Sequence, residues 1–185
     1  NGKGPSDYTE KAAFADGVWH ISQQWDLQAG VRYAKNDQNS GGGLTITTPQ
    51  VVPFFGPTST STVLKSADNS LTFAVSPTFH INPDLMAYAR VASGYRPGGP
   101  NGVSTLPTVP AEYGPDKVMN YEIGLKGYVL DRKVSFDAAL FQIDWTDFQL
   151  QNTDAASNFT YRTNGGEARN RGLELSGEWR PLAGT

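Results

Sequence analysis

Few residues in this 185-residue sequence stand where side chains could do chemistry, and most of them fail on spacing. Asp144 and Asp147 lie three apart, so on a regular strand they point to opposite faces and make poor acid–base partners. Glu174 and Glu178 share a strand face, but at about 3.3 Å per residue they stand roughly 13 Å apart. Glycosidase carboxylate pairs work at about 5–9.5 Å. His20 and His80 are far apart in sequence, each beside a short connection, with no Asp or Glu at ligand spacing, so neither predicts a metal site. Gly94–Gly102 is glycine-rich, but its Gly94–Gly99 run lacks the ending and the strand–helix setting of a phosphate loop. Asn158-Phe159-Thr160 matches a glycosylation sequon, a pattern common by chance. With no Cys, disulfides, thiolate metal sites and thiol nucleophiles are excluded together. The residues predict no enzyme, no metal and no cofactor.

The elements that must position these side chains are strands. Gly and Pro number 20 and 12, beside 8 Tyr, 9 Phe and 4 Trp, a composition of strands and turns. A net charge of -3 without a basic cluster excludes a nucleic-acid footprint. Period-two alternation recurs in Trp25–Tyr33, Leu71–His80, Leu85–Tyr95, Tyr121–Val129 and Leu173–Trp179. Val134–Leu150 begins the same way, then changes parity, which predicts a β-bulge near Phe141. Lys11–Ile21 is less regular, with Asp16-Gly17 expected to disturb it. About seven strands result.

Connections sort by length. Ser22–Gln24, Ile81–Asp84 and Asp131–Lys133 are short; Asn36–Ser66, Arg96–Pro115 and Gln151–Gly166 are long and rich in Gly, Ser, Thr, Asn and Pro. Short and long alternate, so short turns gather at one end of the sheet and long loops at the other. Trp25, Phe79 and Trp179 sit near the short turns, and Tyr33, Phe73, Tyr95 and Tyr121 near the loops, all on apolar faces. Two aromatic belts on an apolar face are what the two interfaces of a bilayer favour. The expected fold is all-β, a segment of an antiparallel up-and-down transmembrane barrel. A soluble β-sandwich is the competing reading.

Four runs then resemble TonB-dependent outer-membrane receptors. They are Ala87–Gly99, with Ser93-Gly94-Tyr95-Arg96; Tyr113–Lys126, with Asp116 where Glu is more usual; Ala139–Trp145; and Asn164–Leu175. The resemblance implies a 22-stranded barrel closed by a plug, in the bacterial outer membrane, importing a scarce ligand with energy supplied through the TonB protein. An iron–siderophore complex is the expected ligand. About seven of those strands are matched, with no plug-like region, so residues 1–185 are expected to be part of the barrel domain. A passive porin-like channel and a soluble ligand-binding module are the alternatives.

Within that frame the polar strand faces bear Arg32, Arg90, Glu122, Lys126, Glu174 and Glu178, expected to face the lumen and the plug. The loops offer Arg96 and Arg162 with Tyr113, Phe159 and Tyr161 as candidate contacts to an anionic chelate, because guanidinium pairs bidentately with carboxylate or catecholate. An apolar patch at Val51–Phe55 is a candidate cover for the mouth. The apolar faces are expected to contact membrane lipid.

Overall fold

A computed structural model describes residues 3–45, 59–101, 108–155, 158 and 160–180; the Val51–Phe55 patch and Phe159 lie outside them. Seven antiparallel strands form one sheet in the order β1 (Lys3–His20), β2 (Trp25–Thr45), β3 (Ser59–Asn82), β4 (Leu85–Arg96), β7 (Asp116–Val129), β8 (Val134–Thr146) and β11 (Glu167–Trp179). Two small ladders stand at the loop end. One joins β5 (Gly99–Pro100) to β6 (Glu112–Tyr113), the other β9 (Gln149–Thr153) to β10 (Thr160–Asn164).

Register turns the alternation into two continuous faces, because strand side chains alternate with period two. Trp25, Leu27, Ala29, Val31 and Tyr33 stand opposite Phe79, Pro77, Val75, Phe73 and Leu71. Across the sheet Leu125 and Ile123 align with Ala138 and Leu140, and these with Leu175 and Leu173. Nothing in the described chain covers this apolar face: Leu71, Ile123, Leu140, Leu173 and Leu175 are all exposed. Among the described residues, the buried hydrophobic ones are Ala34, Val109 and Ala139. A soluble sandwich buries its apolar faces against each other. The observed sheet is a one-layer wall, as a barrel in lipid is.

The structure corrects four expectations. First, β8 pairs without a register shift with both β7 and β11, so there is no bulge at Phe141. The parity change is real but has another cause. Beyond Leu140 the apolar-side positions become Gln142 and Asp144, while Ile143 and Trp145 occupy the opposite side. Polarity exchanges faces on a straight strand. Second, Asp16-Gly17 leaves β1 intact, and its pairing with β2 runs unbroken from Ser6 to His20.

Third, much of the Asn36–Ser66 connection is strand: β2 has 21 residues and β3 has 24, against about 9–11 needed to cross a bilayer. Fourth, Tyr95 does not join the outer aromatic belt. Pairing between β3 and β4 ends at Ala74–Ala92, and β4 then passes over the polar face of the β2–β3 hairpin. Its Tyr95 hydroxyl meets Asn36 there.

The short turns close as their chemistry suggests. Asn82 Oδ1 accepts the Asp84 N–H at 2.9 Å, an Asx turn around Pro83. Ser22 Oγ accepts the N–H groups of Gln24 and Trp25 at 3.2 and 3.1 Å. In the β7–β8 turn Leu130, Asp131 and Arg132 all have positive φ, of 55°, 54° and 63°. That hand matches the twist of the strands it joins.

Candidate functional site

Two regions bring polar side chains together: the polar face of the wall and the layer of loops above it. On the wall, Arg32 pairs with Glu10, and Tyr8 donates to Asn36 Oδ1 at 2.8 Å. Asn36, only 1% exposed, donates through Nδ2 to the Tyr95 hydroxyl at 2.9 Å. Farther along, Tyr88 donates to Glu122 at 2.6 Å and lies across Gly124, where an added Cβ would come within 2.6 Å of its ring. Lys126 bridges to Asp137 at 2.8 Å and stands 4.9 Å from the Tyr88 ring centroid.

Arg32, Arg90, Glu122, Lys126, Glu174 and Glu178 all occupy the side opposite the apolar face, by their registers with Gly30-side, Gly124-side and Ala139-side partners. Arg90 stands opposite Glu122 in the ladder without forming an ion pair among the described residues. Glu178 is bound by Arg180 at 2.9 Å.

The histidines differ from expectation. His20 and His80 converge on one carboxylate, with His20 Nδ1 2.6 Å from Asp26 Oδ1 and His80 Nε2 2.8 Å from Asp26 Oδ2. Sequence distance hid this, because ladder register sets His20 opposite Asp26, and Asp26 opposite Thr78. Each oxygen serves a different ring. Among the described residues no group of three or more His, Cys, Asp or Glu is suited to hold a metal.

The loop layer begins where β4 leaves β3. Gly98 N–H donates to Asp68 at 2.9 Å and Gln38 donates to the Gly98 carbonyl at 2.6 Å. A Cβ on Gly98 would lie 2.3 Å from the Tyr113 carbonyl oxygen, so the close approach requires glycine.

Arg96 donates to Asp116 from two nitrogens, at 3.1 and 2.5 Å, and stands 5.8 Å from the Trp145 ring centroid. Asp116 is 1% exposed. Arg96 is therefore engaged with a buried carboxylate, which ties β4 to β7.

Two asparagines missed by sequence reasoning join the loops. Asn101, 4% exposed, donates to the Arg162 carbonyl at 2.7 Å and accepts the Arg162 N–H at 2.7 Å. One side-chain amide thus supplies both bonds of a strand partner. Asn164 does the same for Gly114, accepting its N–H at 2.6 Å and donating to its carbonyl at 2.8 Å. Gln149 adds a bond to the Pro97 carbonyl at 2.8 Å. The available signal was positional, since Asn101 follows the Gly98-Gly99 approach and Asn164 opens the last resembling run.

Of the loop candidates, Tyr113 and Arg162 are brought together. Arg162 donates to the Tyr113 hydroxyl at 3.2 Å, and its guanidinium lies 5.5 Å from the ring centroid. Arg162 is exposed and forms no ion pair among the described residues. Tyr161 is half-buried on the alternate side of β10.

Above the apolar belt, Asp144 and Arg169 pair at 2.5 Å. The Arg169 hydrogen bond holds the Asp144 carboxyl below its ordinary range, helped by Gln142. The same pair raises the Arg169 guanidinium.

A family model described as TonB dependent receptor-like, beta-barrel matches residues 2–185. The pesticin receptor of Yersinia enterocolitica is 29% identical over 170 residues, 91% of this chain and 23% of that protein. The crystal structure of the ferric yersiniabactin uptake receptor FyuA from Yersinia pestis matches with a TM-score of 0.75 at 26% identity, over 97% of this chain and 25% of that one. The siderophore receptor PiuA from Acinetobacter baumannii matches with a TM-score of 0.73 over 96% of this chain and 24% of its own. At 19% identity, that likeness is one of fold. The chain spans about a quarter of the length of these relatives.

Proposed function

The chain belongs to the TonB-dependent receptor β-barrel family, and from that premise we propose that it forms part of the wall and mouth of an outer-membrane receptor for energy-coupled import of an iron–siderophore complex. The relatives named for pesticin reception and for ferric yersiniabactin uptake support the ligand class. In this reading residues 1–185 are part of the barrel domain. Membrane lipid covers the apolar face. The polar face, with Arg32, Arg90, Glu122, Lys126, Glu174 and Glu178, lines the lumen and meets the plug of the same receptor. The TonB protein couples energy through a part of the receptor beyond this segment. The work is binding and translocation, without covalent chemistry.

The observation that carries the reading is the exposed Arg162–Tyr113 pair, mounted on a loop layer that the Asn101 and Asn164 amides hold to the barrel. Arg96 stands beside it as a second candidate, its Nε and Nη2 engaged by Asp116 and its guanidinium still half-exposed. A guanidinium stacked on a phenol ring keeps N–H groups for carboxylate or catecholate oxygens, and the ring offers a face to an aromatic chelator.

Equilibrium binding of ferric chelates to the full-length receptor tests this. Arg162→Gln is expected to weaken binding of an anionic ferric siderophore about tenfold, a change of about 1.4 kcal/mol. Binding of a neutral oligosaccharide in place of every ferric chelate would replace the ligand class. Ferric uptake that persists after the proton gradient is collapsed would contradict energy coupling and favour a passive channel.

A further inference from the structure

One asparagine that clamps the loop layer carries a chemistry that import does not use. Asn164 is followed by Gly165, and the other clamp residue, Asn101, is also followed by glycine. Beside glycine an asparagine side chain is most open to the next backbone nitrogen, because no Cβ hinders the approach. In that reaction the Gly165 nitrogen, deprotonated by water or hydroxide, adds to Asn164 Cγ. The new nitrogen–carbon bond forms as the Cγ–Nδ2 bond breaks. Nδ2 leaves as ammonia, carrying the proton that the glycine nitrogen lost. Water then opens the five-membered imide. Cleavage at Cγ leaves aspartate, and cleavage at the Asn164 backbone carbonyl carbon leaves isoaspartate.

Both reacting groups are held in this structure. The Gly165 N–H donates to the Phe148 carbonyl at 3.1 Å. Asn164 Oδ1 accepts the Gly114 N–H at 2.6 Å, while Nδ2 donates to the Gly114 and Asp147 carbonyls, each at 2.8 Å. The nucleophile therefore keeps its proton, and three bonds fix the carbon it must reach. Attack requires β10 to part from Gly114. The product cannot close again, because a carboxylate only accepts. The Gly114 and Asp147 carbonyls, which now receive N–H groups, would then face a negative charge. Isoaspartate also adds a methylene to the β10 backbone.

We infer that Asn164-Gly165 is a latent deamidation site, silent while the loop layer is closed, whose reaction releases β10 from Gly114 irreversibly. This holds whatever ligand the loops bind.

The test incubates the full-length receptor, and a free peptide of residues 160–169, at mildly alkaline pH. Peptide mapping by mass spectrometry follows conversion of Asn164. The receptor is expected to react at least about tenfold more slowly than the peptide, since only its open fraction reacts. Equal rates overturn the protection, and an inert peptide overturns the site. Gly98→Ala, which displaces the Tyr113 carbonyl beside Gly114, is expected to speed the receptor's reaction about tenfold. An unchanged rate in the folded variant overturns the link to loop opening. Gly165→Ala puts a Cβ 3.7 Å from Leu150, an ordinary contact, so it keeps the fold and is expected to slow the peptide about tenfold. An unchanged peptide rate would remove the Gly165 nitrogen as nucleophile. Asn164→Asp supplies one product directly and is expected to speed hydrogen exchange at Gly114; unchanged exchange overturns the release. The comparison of receptor with peptide needs no variant, and heat-modified gel migration reports any variant that misfolds.

Discussion

Between Trp25 and Tyr33 the chain is held by ladder bonds on both sides, and every second side chain is apolar. Around Gly98, Asn101, Gly114, Gln149 and Asn164 the loop layer is held by side-chain amides, with two short ladders between them. The wall is fixed by a repeating rule that tolerates any apolar residue of suitable size. The loop layer depends on single atoms, each satisfying a particular backbone group. This difference separates a scaffold from a surface that can be respecified: substitutions in the wall act through which face they occupy, and substitutions in the loops act through geometry.

The largest expected effect breaks the wall. Leu125→Arg puts a cation on the apolar side near mid-span and should destabilise the full-length barrel by about 2–4 kcal/mol in denaturant unfolding. Lys126→Gln, one residue away on the polar side, removes a half-exposed ion pair and should cost less than about 1 kcal/mol. Equal effects would erase the distinction between faces.

Next is the clamp at Asn164. Asn164→Ala leaves the Gly114 N–H and carbonyl and the Asp147 carbonyl without this partner, at about 1–3 kcal/mol for each group left buried. Faster hydrogen exchange at Gly114 and weaker ligand binding are expected, with the unfolding midpoint of the wall unchanged. A lowered midpoint would mean that loops and wall fold as one unit. Gly98→Ala should do similar damage on a smaller scale, about 1–3 kcal/mol, because the Tyr113 carbonyl must move.

The smallest effect is electrostatic. Arg169 holds Asp144 low, so the pair stabilises the folded chain above the ordinary carboxylate range near 4. That contribution is lost as pH falls through the lower folded value. Carboxyl titration by isotope-edited infrared should show Asp144 moving up in Arg169→Gln, with little change in stability at neutral pH. No movement would remove the pair as the cause.

The wall was legible because a sheet with one continuous apolar face writes a period of two into the residues themselves, as in Tyr121–Val129. The ends of strands were less so. Ile143 and Trp145 fall out of phase for a physical reason that mimics a bulge: beyond Leu140 the loop layer covers the polar side of β8, and Trp145 packs there under Arg96. Tyr95 follows the belt pattern in sequence, yet β4 bends over its neighbour and carries the ring to Asn36. Asn101 and Asn164 resemble ordinary loop residues, since a side-chain amide acting as a strand partner leaves no period to read. Arg162 and Tyr113 could be named by type, but only folding showed that they meet and that Arg96 is occupied.

With the apolar face read as lipid-covered, β8 crosses from lipid into water at Leu140 without a change of register. A spin-label accessibility scan of positions 134–146 in the full-length receptor in nanodiscs tests it most directly. Lipid-soluble oxygen is expected to relax labels at 134, 136, 138 and 140, with positions 141, 143 and 145 shielded from it and 142 and 144 open to a water-soluble relaxer. Oxygen accessibility that shifts to 143 and 145 would put a bulge at Phe141 and contradict the account.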